Sequence, residues 1–180
     1  HAKSMRTKKT NLIGVILPKI SSSTISRIVD GISTELKKDG YKVRWYCVGD
    51  GNNRKEYEAL IKEKNLKDDF ILLGSTPNPY PYIKMCDIYV QPSRYEGKCV
   101  SVIEAQILHK PVIITNYSTA SSQLENGKDG VIVPLENEDC AAAIKKILQD
   151  EELQNLLVNN TYDKDYSNVE GIKKIYGILE

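Results

Sequence analysis

Short apolar runs alternate along this chain with longer stretches in which apolar residues recur every three or four positions. The first run, Asn11–Leu17 (NLIGVIL), reads as a buried strand. Behind it Ile25, Ile28, Val29, Ile32 and Leu36 fall at helical spacing, with Ser23 or Thr24 as the cap and Gly40 as the stop. Lys42–Gly51 (KVRWYCVGDG) predicts a second strand that ends in a Gly-rich turn, and RKEYEALIKEKNL, starting at Arg54, an amphipathic helix. FILLG (Phe70–Gly74) predicts a third strand, and the segment NPYPYIKMC, with its two prolines, a short helix. DIYVQPS is the fourth strand, Val100–His109 a helix, PVIIT the fifth strand and DGVIVP the sixth. NEDCAAAIKKIL, capped at Asn137 with Asp139 in its opening turn, and DEELQNLLVNN predict two further helices. From Asn168 to Glu180, Val169, Ile172, Ile175, Tyr176 and Leu179 mark one side of another.

The strands are rich in Val, Ile and Leu and lack the two-residue alternation of a half-exposed sheet. That pattern predicts an α/β fold, a doubly wound, mostly parallel six-stranded sheet covered on both faces. In such sheets ligands sit at the carboxyl ends of the strands. The turns there, PKISSS, GDGNN, GSTPNP, PSRYEGKC and TNYSTAS, are expected to line one crevice.

Composition narrows the classes. A chain of 180 residues is one domain or one lobe of a larger protein, and it can bury roughly 70% of its unfolded surface. The net charge of +1 gives no bulk electrostatic case for nucleic acid. Cys47, Cys86, Cys99 and Cys140 form no CxxC pair and have largely apolar neighbours, which reads as reduced thiols of a cytosolic protein. There is no apolar run long enough to cross a bilayer as a helix. HAKSM (His1–Met5) reads as an expression remnant, leaving residues 6–180 as the functional unit.

The chemistry concentrates in RYEGKCVSVIEAQILHKPVIIT, from Arg94 to Thr115. A loop follows the fourth strand and leads into a helix near Val100. The first-turn amides of a helix lack intrahelical partners, and with the helix dipole they favour an anion such as phosphate. Gly97 permits close backbone approach and Lys98 adds positive charge. Glu96 stands just before this anion site. Glu104 stands about one turn into the helix, among Val102, Ile103, Ala105, Ile107 and Leu108. A carboxylate there needs donors, and ribose hydroxyls or a nearby cation would supply them.

Glu96 and Glu104 are separated by seven residues, in the context S-x-Y-E-G-x-x-x-x-x-x-E-A-x-x-x-x-K-P-V-I. This resembles the E-x7-E motif of retaining glycosyltransferases of family 4, also called group 1, which have the two-lobed GT-B fold. The likeness extends through WYCVGDG (Trp45–Gly51), GSTPNPYPYIKMCDIYVQPSRYEG (Gly74–Gly97) and NGKDGVIV (Asn126–Val133). It is similar to the C-terminal, donor-binding lobe of bacterial members that build surface polysaccharides.

The resemblance implies that Glu104 holds the ribose hydroxyls. It implies that Glu96 orients the donor sugar beside the reacting bond, and that the amides of Gly97, Lys98, Cys99 and Val100 bind the diphosphate. The loop at Gly74 and Ser75 would border the base. The family's Arg after the first strand would be replaced by Lys19, and the Lys expected a few residues later is missing from LPKISSST. The substrate would be a UDP- or GDP-sugar, with no cofactor or metal required. The acceptor, a glycan or a lipid-linked glycan, would be held by an N-terminal lobe that this chain lacks. The isolated lobe is expected to be inactive. The parent enzyme would be cytoplasmic, peripheral to the inner membrane face at most.

Two other classes fit a doubly wound sheet. A response-type or other non-enzymatic nucleotide-binding module is one, but a response module wants clustered acids after the first strand, and GVILPKI has none. A nicotinamide oxidoreductase wants a glycine fingerprint there, and LPKISSST has no glycine. Tyr80 and Tyr82 would border the base or pack beneath their loop. His109 reads as structural.

Overall fold

The computed structural model describes residues 12–17, 23–52, 54–63 and 65–167, with side chains from residue 30 onward. Six strands alternate with helices: β1 (Leu12–Leu17), α1 (Ser23–Lys38), β2 (Lys42–Val48), α2 (Arg54–Glu63), β3 (Phe70–Gly74), α3 (Tyr80–Met85), β4 (Ile88–Gln91), α4 (Val100–Ile107), β5 (Val112–Thr115), β6 (Val131–Val133), α5 (Asn137–Gln149) and α6 (Glu151–Asn159). They form one sheet in the order β3-β2-β1-β4-β5-β6, with every neighbouring pair parallel. The order reverses between β1 and β4. That is the switch point at which the crevice of a doubly wound sheet opens.

Successive residues of a strand feed opposite cores. Ile88 and Val90 of β4, with Ile113 of β5, pack against Trp45, Leu36, Ile144 and Ile147 on the face covered by α1 and α5. Tyr89, Val112 and Ile114 pack against Ile83, Val102 and Ala105 on the face covered by α3 and α4. Burial on both faces is why these strands read as unbroken apolar runs. The Trp45 indole donates to the Ser33 hydroxyl at 2.7 Å, which fixes α1 on β2 without leaving a buried donor unpaired.

Two expectations about helix ends need revising or confirming. Asn137 is the first residue of α5 rather than its cap; Glu136 takes the cap position and its side chain makes no cap hydrogen bond. The Asn137 side chain instead fills the notch at Gly31 on α1, where an added Cβ would meet Asn137 Nδ2 at 2.0 Å. Gly40, at φ +77, ends the turn after α1 as expected. Asp150 closes α5 and caps α6, accepting from the Leu153 amide at 2.8 Å. A short 3-10 turn at Ala120–Ser122 had no signal in the apolar pattern. Lys19 and the helix expected from Asn168 to Glu180 lie outside the described residues.

Candidate functional site

Pro92 ends β4, and the loop Ser93–Cys99 carries the chain to α4. Its carbonyls are gripped from behind by side chains on and after β5. The Thr119 hydroxyl lies 2.8 Å from Glu96 O and 2.9 Å from Gly97 O. The Gln123 amide donates to Cys99 O at 3.1 Å, and the Thr115 hydroxyl reaches Ser93 O. Every described peptide bond is trans, so each N–H points opposite to the carbonyl of its own peptide unit. With the carbonyls of Glu96, Gly97 and Cys99 turned toward Thr119 and Gln123, the amides of Gly97, Lys98 and Val100 face the other way. None of those three donates to a backbone carbonyl among the described residues. Gly97 has nothing within 4 Å of where a Cβ would sit, so the space outside the loop is open. Lys98 is exposed there.

Cys99 is the N-cap residue of α4. Burial pushes its thiol up, against its hydrogen bonds with the Ser101 hydroxyl and the Val102 amide, so it stays protonated at neutral pH. The other thiols are buried as the sequence implied, and all four cysteines are free.

Glu104 lies one helical step beyond Ser101, and both border a cavity of about 190 Å³. Gly49, Ser75 and Thr76 close its other sides. The ends of β2 and β3 are fastened by the Gly49 amide, which donates to Gly74 O at 2.8 Å. Gly49 and Gly74 adopt φ +137 and +77, where a side chain would be strained. This fastening turns Ser75 and Thr76 toward α4. Among the described residues, Glu104 accepts one side-chain hydrogen bond, from the Tyr80 hydroxyl at 3.3 Å. The ion pairs among those residues do not include it. Tyr80 is exposed and reaches Glu104 from outside the cavity lining rather than packing beneath its loop.

Glu96 is half-buried and accepts from Ser93 Oγ at 2.8 Å and Gln91 Nε2 at 3.0 Å. It is absent from the lining of the Glu104 cavity. His109 sits at φ +55 beyond α4, stacked on Tyr162 with ring centroids 3.7 Å apart, which is the structural role expected of it. Among the described residues no group of three or more His, Cys, Asp or Glu side chains is placed to hold a metal.

The structure thus gathers Gly97, Lys98 and Val100 at the junction of the loop with α4, and Glu104 and Ser75 around one cavity, with Gly74 fastening the turn that carries Ser75. Sequence reasoning missed Thr115, Thr119, Gln123, Gln91 and Tyr89. The loop TNYSTAS was placed at the crevice, but nothing in it marked Thr119 as the residue that orients the amides.

A family model described as glycosyl transferases group 1 matches residues 29–164. The chain belongs to the group 1 glycosyltransferases. The poly(ribitol-phosphate) alpha-N-acetylglucosaminyltransferase of Staphylococcus aureus is 29% identical over 159 residues, 88% of this chain and 30% of that protein. A TarM mutant of S. aureus, solved with Fondaparinux, alpha-GlcNAc-glycerol and UDP, superposes with a TM-score of 0.78 at 23% identity, covering 94% of this chain and 35% of that one. The C-terminal domain of the group 1 family protein LpcC from Francisella tularensis superposes with a TM-score of 0.66 at 21% identity, covering 84% of this chain and 83% of that one. These likenesses show that the sheet is the Rossmann-like unit of GT-B glycosyltransferases. The chain spans about a third of the length of the curated relatives it matches, 30% and 34% of the first two.

Proposed function

We propose that this chain is the C-terminal, donor-binding lobe of a retaining glycosyltransferase that moves a sugar from a nucleoside-diphosphate sugar to a glycan or lipid-linked acceptor in surface polysaccharide synthesis. The observation that carries the reading is the pairing of a carboxylate cavity on one helix with a row of outward amides on the loop that leads into it. Glu104 takes the ribose hydroxyls. Ser75 and the Gly74 turn border the base. The amides of Gly97, Lys98, Cys99 and Val100, with the Lys98 ammonium, take the diphosphate. Glu96 orients the sugar, and Lys19, two residues beyond β1 in the sequence, adds charge.

The diphosphate is the leaving group. Amides already fixed by Thr119 and Gln123 would stabilise the charge it gains without reorganising, which is the usual way such a site lowers a barrier. The reading assigns this work to the protein's own groups and calls for no metal. The acceptor would be held by an N-terminal lobe, so this chain alone would bind donor without turnover. The match to a domain crystallised as the C-terminal domain of a group 1 family protein supports the placement. Among the described residues no helix is long and apolar enough to cross a membrane; a cytoplasmic enzyme that meets its lipid-linked acceptor at the membrane face fits that observation.

UDP is the first ligand to try, because similar folds were solved with it. Thermal shift against UDP, GDP and NADH tests the proposal. Stabilisation by UDP or GDP supports it, and stabilisation by NADH alone overturns it.

A further inference from the structure

Glu96 is one end of a line of polar groups that runs beneath the loop. Its Oε1 accepts from Ser93 Oγ and from Gln91 Nε2, which also donates to Ser93 Oγ at 2.7 Å. The other end of the Gln91 amide, Oε1, lies 2.8 Å from the Tyr89 hydroxyl. That hydroxyl lies 2.8 Å from Ser101 Oγ in the first turn of α4, and Ser101 Oγ lies 3.2 Å from Cys99 Sγ. Tyr89 is fully buried and Gln91 is 5% exposed.

Counting protons fixes the sense of this line. Gln91 Oε1 has no proton, so it takes the one on Tyr89. The phenol oxygen must then accept from Ser101, and Ser101 accepts in turn from the Cys99 thiol. On the far side the Glu96 carboxylate only accepts, which turns the Gln91 NH₂ toward it. Every donor therefore faces Glu96. Burial raises both the Tyr89 phenol and the Cys99 thiol, so both keep their protons at neutral pH. Bonds aligned in one sense polarise one another. Hydroxyls can rotate, but the two ends of an amide differ chemically, so Gln91 is the member that sets the direction.

We infer that Gln91 is the positioning residue for Glu96: it pins one carboxylate oxygen and, through Tyr89 and Ser101, ties that carboxylate to the helix that bears Glu104. The inference rests on the donor-lobe reading and deepens it. With Oε1 engaged by Gln91 and Ser93, and no hydrogen bond to Oε2 among the described residues, the second oxygen is available to a sugar hydroxyl. The sugar side and the nucleotide side of the site then share one buried hydrogen-bonded line.

The test uses this chain and calorimetric titration with UDP, UDP-glucose, UDP-N-acetylglucosamine, GDP and GDP-mannose. Gln91→Met and Tyr89→Phe are made alone and in a Glu96→Ala background. Gln91→Met is expected to weaken the preferred sugar nucleotide about tenfold, the worth of one hydrogen bond to a charged group. The matching nucleoside diphosphate should stay within about twofold. Tyr89→Phe should show the same split with a smaller loss, and it decides the matter if Gln91→Met does not fold. In the Glu96→Ala background neither change should cost more. Equal losses on both ligand types, or losses that persist without Glu96, overturn the inference and leave the donor-lobe reading standing. A parent chain that binds no nucleotide, or gains nothing from any of these sugars, overturns the inference through the reading of the site itself.

Discussion

Removing the Glu104 carboxylate should separate binding from folding. Glu104 is half-buried, and its hydrogen bond from Tyr80 is long at 3.3 Å, beyond the usual range of about 2.5–3.0 Å for O–H···O. Losing such a bond at a partly exposed site costs the free protein under about 1 kcal/mol. For a domain of this size that is a shift of no more than about 4 °C in Tm. In the complex the same carboxylate would accept from ribose hydroxyls. A hydrogen bond to a charged group contributes about 1.5–3 kcal/mol, and displacing Tyr80 offsets little of it. Glu104→Ala should therefore weaken UDP binding by roughly 10–100-fold while leaving thermal unfolding of the free chain nearly unchanged. Calorimetric titration with UDP and a melt without ligand give both numbers on one preparation. Unchanged UDP affinity would refute the ribose assignment, and a large drop in Tm would make Glu104 a structural residue.

Four further outcomes follow from the same geometry. Tyr80→Phe frees Glu104 from its resident donor and should tighten UDP by about two- to fivefold; a weaker affinity in the same titration would make Tyr80 part of the ligand site instead. Gly31→Ala forces the Asn137 side chain out of its notch, and even Asn137 Cβ would lie 2.9 Å from the new carbon, so urea titration should show a loss of about 1–3 kcal/mol despite the better helix former. Asp150→Ala should cost about 1 kcal/mol by the same assay, through the lost cap on α6. Burial pushes the Cys47, Cys86 and Cys140 thiols up to about 12 from 9.0, so above pH 9 the unfolded chain releases protons that the folded chain holds. Their stabilisation is complete below that pH and is lost as pH climbs toward 12. The urea midpoint should fall steadily over that range, and a flat profile would contradict the burial.

Much of the architecture was legible because it is local. A buried parallel strand is an unbroken apolar run, and a covering helix is an apolar stripe, so β2 through β6 and α2 through α6 fall close to where the pattern put them. The places of Glu96 in the loop after β4 and of Glu104 inside α4 were legible for the same reason. What holds that loop was not. Thr119 and Gln123 stand more than twenty residues from the carbonyls they grip, and only the fold brings them there. Tyr89 and Gln91 were hidden differently. Both sit in a fully buried strand, where a tyrosine reads as core and a glutamine as an exception, and neither residue type announces a hydrogen-bonded line. Asn137 failed as a cap for a related reason. Its local pattern suits a cap, but a glycine notch on α1 offered its side chain a tertiary contact.

The most direct test is a crystal structure of this chain with UDP. The account predicts both ribose hydroxyls within hydrogen-bond distance of the Glu104 carboxylate. It also predicts the diphosphate on the amides of Gly97, Lys98 and Val100, and the base beside Ser75. A nucleotide bound anywhere else on the sheet, or one whose ribose leaves Glu104 on Tyr80, would contradict it.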